Sequence, residues 1–335
     1  MNTISAHIKA HFPDKKIVIV GDLVADQFLR GTISRVSREA PVFILRHDET
    51  ETLAGGAANA AVNAASLGGK VSLVGFIGRD ANGKSLLEKL ERSNVDCALL
   101  VSGEKIQTTT KVRVIAGQPF APRQQVIRID YENQMEIGED LQNELKENFL
   151  AASVDAGAII ISDYNYGAAN AEIAGLAKKI SAEKNIPLLI DSRFRLENFA
   201  GATSATPNQE EVEQILGKNF TAEDCAGLCE KLGLESLLVT RGNKGMLLVE
   251  KNKPPLEIEV VGSNEPLDVT GAGDTVIAVY ALGLASGLSY ADSAHLANHA
   301  GGIVVMKKGT ASVSLSELLE SIENDTKFQI SKSVS

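Results

Sequence analysis

Short, wholly apolar segments that alternate with helical stretches restrict this chain to a small set of folds. Ile17-Val18-Ile19-Val20 runs into Gly21-Asp22 and reads as a buried first strand ending on a carboxylate. From about residue 138 the pattern becomes regular: helix 138–151, strand 158–162, helix 169–182 and strand 187–191. Strand 236–240 then precedes a turn at 242–245 and another strand, 246–250. Strands alternating with helices predict an α/β fold, a mostly parallel sheet covered by helices on both faces. Ligands of such sheets bind beyond the C-terminal strand ends, where Asp22, Asp163, Asp191 and Arg241 are expected.

Two segments interrupt the pattern. Residues 28–52 alternate and turn, with Gly31 and Pro41, and suggest short exposed strands. Residues 107–116 and 123–131 read as a further strand pair joined around Gly117-Gln118-Pro119. Segments of about 23–53 and 105–131 are therefore expected to form one small β-sheet lid. Between them lie a small-residue helix at about 56–67, strand 71–76 and helix 83–92. With no internal repeat or low-complexity linker, one domain over residues 1–323 is the simplest count, with a polar tail at 324–335.

The 335 residues are 44% apolar and 23% charged, as in ordinary globular proteins, and the net charge is −10. No Lys/Arg tract is present, so nucleic acid is not an expected partner. Residues 1–16 lack a signal-peptide core and no apolar run reaches membrane length, which predicts a cytoplasmic protein with no membrane partner. Three cysteines, Cys97, Cys225 and Cys229, are too few and too poorly spaced for a disulfide framework or a zinc site. His295 and His299 have a metal-compatible spacing but no evident third ligand, and they read as structural.

Chemistry is concentrated in Asp268-Val269-Thr270-Gly271-Ala272-Gly273-Asp274, followed at once by an apolar helix. Glycines opening a helix let backbone N–H groups approach an anion, and the helix N-terminus adds partial positive charge. Asp274 falls in the first turn, where a carboxylate can take a proton from an attacking hydroxyl. The same helix end favours the carboxylate, so Asp274 is expected to be a weak base that accepts its proton late. A rival is Gly78-Arg79-Asp80-Ala81-Asn82-Gly83-Lys84-Ser85, which fits a P-loop and would make Lys84 the phosphate ligand. Asp80, a negative charge inside a phosphate loop, counts against it.

Together these segments resemble the ribokinase-like, or PfkB, carbohydrate kinases. The resemblance runs from Ile17 to about Thr310 and rests on four ordered motifs. They are Gly55-Gly56-Ala57-Ala58-Asn59 with its following Ala-Ser-Leu-Gly, Gly78-Arg79-Asp80 with Gly83, Thr206-Pro207-Asn208-Gln209-Glu210-Glu211, and residues 268–274. It implies a ribokinase-like fold and an ATP- and Mg2+-dependent sugar kinase. Asp274 is then the catalytic base, with Gly271, Ala272 and Gly273 as its anion hole. Asp22, Gly55, Gly56 and Asn59 contact the sugar. Asn208, Thr240 and Gly242 contact the nucleotide phosphates, and Glu211 organises Mg2+. A monovalent cation, K+, beside Asp268 and Thr270 and a homodimer through the lid are further implications.

Within the family, several segments resemble the D-glycero-D-manno-heptose-7-phosphate kinases of ADP-heptose synthesis: residues 21–22, 31–42, 123–130 and 162–164. That resemblance implies transfer to the anomeric hydroxyl and adds Arg123, Asp163 and Arg193 to the substrate-binding set. Many of those relatives carry a fused nucleotidyltransferase, so a chain ending at residue 335 is expected to leave nucleotide activation to another protein. Two departures stand out. Asn165-Tyr166-Gly167 lacks the group's usual lysine, and Ser192-Arg193-Phe194-Arg195 replaces its Pro-Lys-Gly, so Arg193 or Arg195 would supply the positive charge. Three alternatives stay open: a kinase of a neutral sugar or nucleoside, a non-catalytic sugar or nucleotide sensor, and a P-loop NTPase using Lys84.

Overall fold

The computed structural model describes residues 3–118, 122–132, 137–262 and 265–325. After helix α1 (Thr3–His11) the chain enters β1 (Lys16–Gly21), then two long strands, β2 (Leu23–Val36) and β3 (Phe43–Gly56). Helix α2 (Ala57–Ser66) leads to β4 (Lys70–Val74), β5 (Phe76–Gly78), α3 (Ala81–Arg92) and β6 (Val101–Gly103). Strands β7 (Thr110–Gly117) and β8 (Gln124–Tyr131) follow, then α4 (Glu139–Ala152), β9 (Ala158–Asp163), α5 (Ala171–Lys184), β10 (Leu188–Ser192) and β11 (Ser204–Ala205). The remainder is α6 (Gln209–Leu216), α7 (Ala222–Lys231), β12 (Ser236–Thr240), β13 (Met246–Glu250), β14 (Leu256–Ile258), α8 (Ala272–Ala285), α9 (Tyr290–Val304) and α10 (Leu315–Asn324).

Eight strands form the central sheet in the order β14-β13-β12-β11-β10-β9-β1-β4. Neighbours from β12 to β4 run parallel, while β12, β13 and β14 pair antiparallel. The apolar strand residues divide between two cores. Ile17 and Ile19 pack on the side of α2, α8 and α9, and Val18 and Val20 on the side of α4, α5 and α7. A strand buried on both faces needs apolar residues at every position, which is why these segments read as continuous runs.

A second sheet, β3-β2-β7-β8, stands apart from the first. Residues 28–52 are thus not short strands but the greater part of two 14-residue strands, with register shifts at Arg30/Gly31 and Ile33/Arg35. Gly117-Gln118 leads toward residues 119–121, so the expected turn at Pro119 lies partly outside the described residues. So does most of the expected tail, residues 326–335. No helix among the described residues is long and apolar enough to cross a membrane.

Candidate active site

Helix α8 begins at Gly271, whose left-handed backbone (φ +77°) turns the chain into the helix. A Cβ at that position would overlap the Asn59 side-chain amide, so glycine is needed twice over. Close approach of alanine-rich α2 to α8 makes this contact. Asn59 Nδ2 donates to the Gly271 carbonyl (3.2 Å) and to Asp274 Oδ2 (2.8 Å). The Tyr164 hydroxyl donates to Asp274 Oδ1 (2.9 Å). Asp274 is buried, and burial lifts its pKa to about 7, against the pull of the Asn59 and Tyr164 hydrogen bonds. This corrects the expectation of a weak base. Desolvation outweighs the helix end, and the carboxylate sits where proton exchange near neutral pH is easy. Nothing lies within 4 Å of the Cβ position of Gly273, so the helix N-terminus is open on that side.

Three residues expected to bind substrate have their polar atoms engaged by the protein. Asp22, at the end of β1, accepts backbone N–H groups from Tyr164 (2.8 Å), Tyr166 (3.0 Å) and Ala168 (2.9 Å). It caps the loop after β9. Asp163 is buried and ion-paired to Arg195, and it also accepts from Ser192 Oγ (2.7 Å) and the Asn165 N–H (3.0 Å). Arg195 is thereby anchored to the loop as well. Asn59 works through Asp274, its Oδ1 meanwhile accepting from Asn63 (3.1 Å). Arg123 lies exposed on the lid and pairs with Asp48 (2.6 Å). Gly56 (φ +58°) leaves room for the Tyr164 ring, 3.3 Å from where its Cβ would be.

The lid brings in residues that sequence reasoning missed. Asp26 on β2 is buried against Gly55, where a Cβ would stand 2.5 Å from Asp26 Oδ2, and it pairs with Arg113 on β7. Burial raises the Asp26 pKa, with Arg113 opposing, and its charge in turn raises that of Asp274. Lys111, also buried, stacks over the rings of Tyr164 and Tyr166. A carboxylate in the apolar run Leu23-Val24-Ala25-Asp26 was the available signal for Asp26.

Ala272 and Gly273 line a cleft of about 640 Å³ together with Asn208, Thr240, Gly242 and Val261, among others. Asn208 and Glu211 form a capping box at the start of α6, with Glu211 Oε2 accepting the Asn208 N–H (2.9 Å) and Asn208 Oδ1 that of Glu211 (3.0 Å). Burial raises the Glu211 pKa. The Asp191 carboxylate makes no hydrogen bond among the described residues, and its pKa stands well above the usual range through burial and the neighbouring charges of Asp274 and Glu211. Arg193, exposed on the loop after β10, offsets both carboxylates.

The site thus sets a buried carboxylate in the first turn of α8, whose N-terminal residues Ala272 and Gly273 line a cleft of about 640 Å³. The family model for pfkB family carbohydrate kinase matches residues 14–317. The chain belongs to that family. It is a sugar kinase. It is 40% identical over 326 residues to the bifunctional protein HldE of Haemophilus influenzae (strain PittEE), covering 95% of this chain and 65% of that one. To HldE of Pasteurella multocida it is 39% identical over 322 residues, covering 93% and 64%. The kinase therefore spans about 65% of the length of these relatives. Among solved structures it resembles phosphofructokinase-2 of Escherichia coli in complex with substrates and products (TM-score 0.75, 19% identity, 91% and 97% covered). Arabidopsis thaliana ribokinase complexed with ribose and ATP is similar too (TM-score 0.69, 20% identity, 92% and 98% covered). These two likenesses concern the fold, a ribokinase-like α/β sheet with a small antiparallel sheet.

Two more expectations meet the geometry of this kinase. The P-loop candidate does not form an anion cradle, because the Asp80 carboxylate occupies it. Asp80 caps α3 through the Gly83 N–H (2.7 Å) and also accepts the Thr108 N–H (2.8 Å), while Lys84 is exposed. Asp268 accepts N–H groups from Thr270 (3.0 Å) and Gly309 (2.9 Å) on its two oxygens. Burial acts to raise its pKa, but these hydrogen bonds prevail and lower it, so it carries a full negative charge. No cluster of three or more metal-binding side chains exists among the described residues.

Proposed function

We propose that this kinase transfers the γ-phosphate of ATP to the anomeric hydroxyl of a heptose 7-phosphate. The observation that carries the transfer chemistry is Asp274, a buried carboxylate with a pKa of about 7 beside an open helix N-terminus. The sugar lies between the lid and α8, where Asp26, held by Arg113, and Asp22, which three N–H groups leave with one acceptor position, meet its hydroxyls. ATP occupies the cleft of Asn208, Thr240 and Gly242. The anomeric oxygen bonds to the γ-phosphorus as the bond to the β,γ-bridging oxygen breaks. Its proton passes to Asp274, and ADP leaves. N–H groups of Gly271 and Gly273 stabilise charge on the transferring group, whereas the expected Ala272 N–H is turned to the Val269 carbonyl (3.2 Å). Mg2+, held by Asp191 and Glu211, would neutralise phosphate charge. K+ beside Asp268 and Thr270 would complete the loop charge.

The sugar assignment rests on the heptose-kinase segments and on the HldE likeness. The lid supports a homodimer. Its outer face exposes Ile127 (54%) and Ile129 (41%), and a partner sheet would cover them. A cytoplasmic location fits nucleotide and sugar-phosphate substrates. Mg2+-dependent ADP release measured across sugars and sugar phosphates, with 31P NMR of the product, tests the reading. A 1,7-bisphosphate from heptose 7-phosphate supports it, whereas turnover of neutral sugars alone would discard the heptose phosphate.

A further inference from the structure

The cleft-facing side of the lid holds more positive charge than its acidic neighbours neutralise. Across β2, β7 and β8, Asp26, Lys111 and Asp130 stand directly opposite one another, and Phe28, Arg113 and Arg128 form the next row on that face. Arg113 pairs with Asp26, and Arg128 grips Asp130 with two bonds of 2.9 and 2.8 Å. Across the cleft Arg195 takes Asp163. Among the described residues Lys111 is left without a close acidic partner, and Arg193 faces the Asp191 and Glu211 carboxylates without a close ion pair to either. Lys111 is 8% exposed, and its ammonium makes no hydrogen bond or ion pair among the described residues. Its ammonium stands 5.5 Å from the Tyr164 ring centroid and 5.8 Å from that of Tyr166. Arg193 has only the Phe194 ring, 5.5 Å away, as a close side-chain partner.

An ammonium buried without a counterion costs several kcal/mol, and aromatic faces return only about 0.5–2 of it. Burial pulls the Lys111 pKa down, repulsion from Arg193 adds to this, and Asp26 and Asp130 oppose it incompletely. An anion between the two cations would relieve both. The Tyr164 side chain fixes where that anion sits, since Lys111 lies over its ring while its hydroxyl bonds Asp274. Anion and base are thus one tyrosine side chain apart. That separation suits a sugar whose reacting hydroxyl and existing phosphate are at opposite ends.

We propose that Lys111, backed by Arg193, binds the phosphate group that the acceptor sugar already carries, so that the lid selects a phosphorylated sugar. This inference rests on the sugar-kinase reading above and assigns its specificity. Lys111→Met, Lys111→Gln and Lys111→Arg are compared with the unaltered protein on heptose 7-phosphate and on the same heptose without phosphate. Turnover and calorimetric binding are both measured. Loss of a charge-assisted contact predicts a roughly ten- to hundredfold fall in kcat/KM for the phosphorylated sugar in the Met and Gln variants. The fall appears in KM and is specific to the phosphorylated sugar, the unphosphorylated sugar loses only the smaller part that follows from a higher Asp274 pKa once the Lys111 charge is gone, and Lys111→Arg keeps most of the preference.

An equal loss on both sugars, a change confined to the KM for ATP, or no preference in the unaltered protein would overturn the proposal. Lys111-dependent binding of heptose 7-phosphate without turnover would sink the transfer reaction instead and leave the phosphate site standing.

Discussion

Replacing Tyr164 by Phe isolates one hydrogen bond at the base. The ring keeps its place against Gly56 and under Lys111, and only the hydroxyl that donates to Asp274 Oδ1 at 2.9 Å is lost. Such a bond to a charged group is worth about 1.5–3 kcal/mol, or roughly one to two pK units at 1.36 kcal/mol each. The bond favours the ionised form, so its loss raises the Asp274 pKa from about 7. A general base must be ionised to act, and activity is therefore lost from the acid side. The acid limb of kcat/KM for the sugar moves up by about one to two units. Activity at pH 7 falls about five- to fiftyfold and recovers at high pH. A pH–rate profile of both proteins reads this directly. A limb that stays in place, or moves down, would refute the assignment of Asp274 and Tyr164 as base and donor.

Other perturbations have equally definite outcomes. Arg195→Leu strands the buried Asp163 carboxylate, 1% exposed, with only Ser192 and one N–H, and should cost about 3 kcal/mol in urea unfolding; a loss below about 0.5 would show that the pair is dispensable. Gly271→Ala has to displace the Asn59 amide and hold a left-handed backbone, so turnover should collapse with a smaller change in Tm; retained turnover would contradict the proposed geometry. Asp274→Asn also has a stability signature. The folded pKa of about 7 exceeds the ordinary 3.8 by about three units, so the folded state holds this proton more tightly. Stability from that proton is complete below pH 3.8 and is lost as pH rises through 7, on the order of 4 kcal/mol at most. The neutral asparagine avoids this loss, so the variant should gain on the unaltered protein between pH 5 and 8. Parallel unfolding curves at both pH values would speak against the raised pKa.

Much of the fold is written into local sequence because parallel strands buried on both faces must be apolar throughout. β1, β9, β10 and β12 could be placed to within about two residues for that reason. β2 and β3 could not, since their outer halves alternate polar and apolar residues and are interrupted by bulges. Strand β11, two residues long, leaves almost no periodic trace. At the site, Gly271 and Gly56 were legible because backbone demands restrict residue type strongly. Sequence alone does not show that Asp22 and Asp163 cap the loop after β9, because a carboxylate at a strand end looks the same whether it faces a ligand or caps the next loop. Asp26 and Lys111 depend on a lid folding over a distant helix, and no local pattern encodes that meeting. The basicity of Asp274 was misjudged for a related reason. The helix end is visible in the sequence, but the burial that overrides it is made by α2 and the loop after β9.

The central claim is that Asp274 removes the acceptor proton, and ADP release with Asp274→Asn alongside Lys84→Ala tests it most directly. The account predicts that Asp274→Asn still binds ATP and sugar but loses turnover by at least about a hundredfold, as expected for removal of a general base, while Lys84→Ala turns over like the unaltered protein. Full turnover in Asp274→Asn, or its abolition in Lys84→Ala, would contradict it.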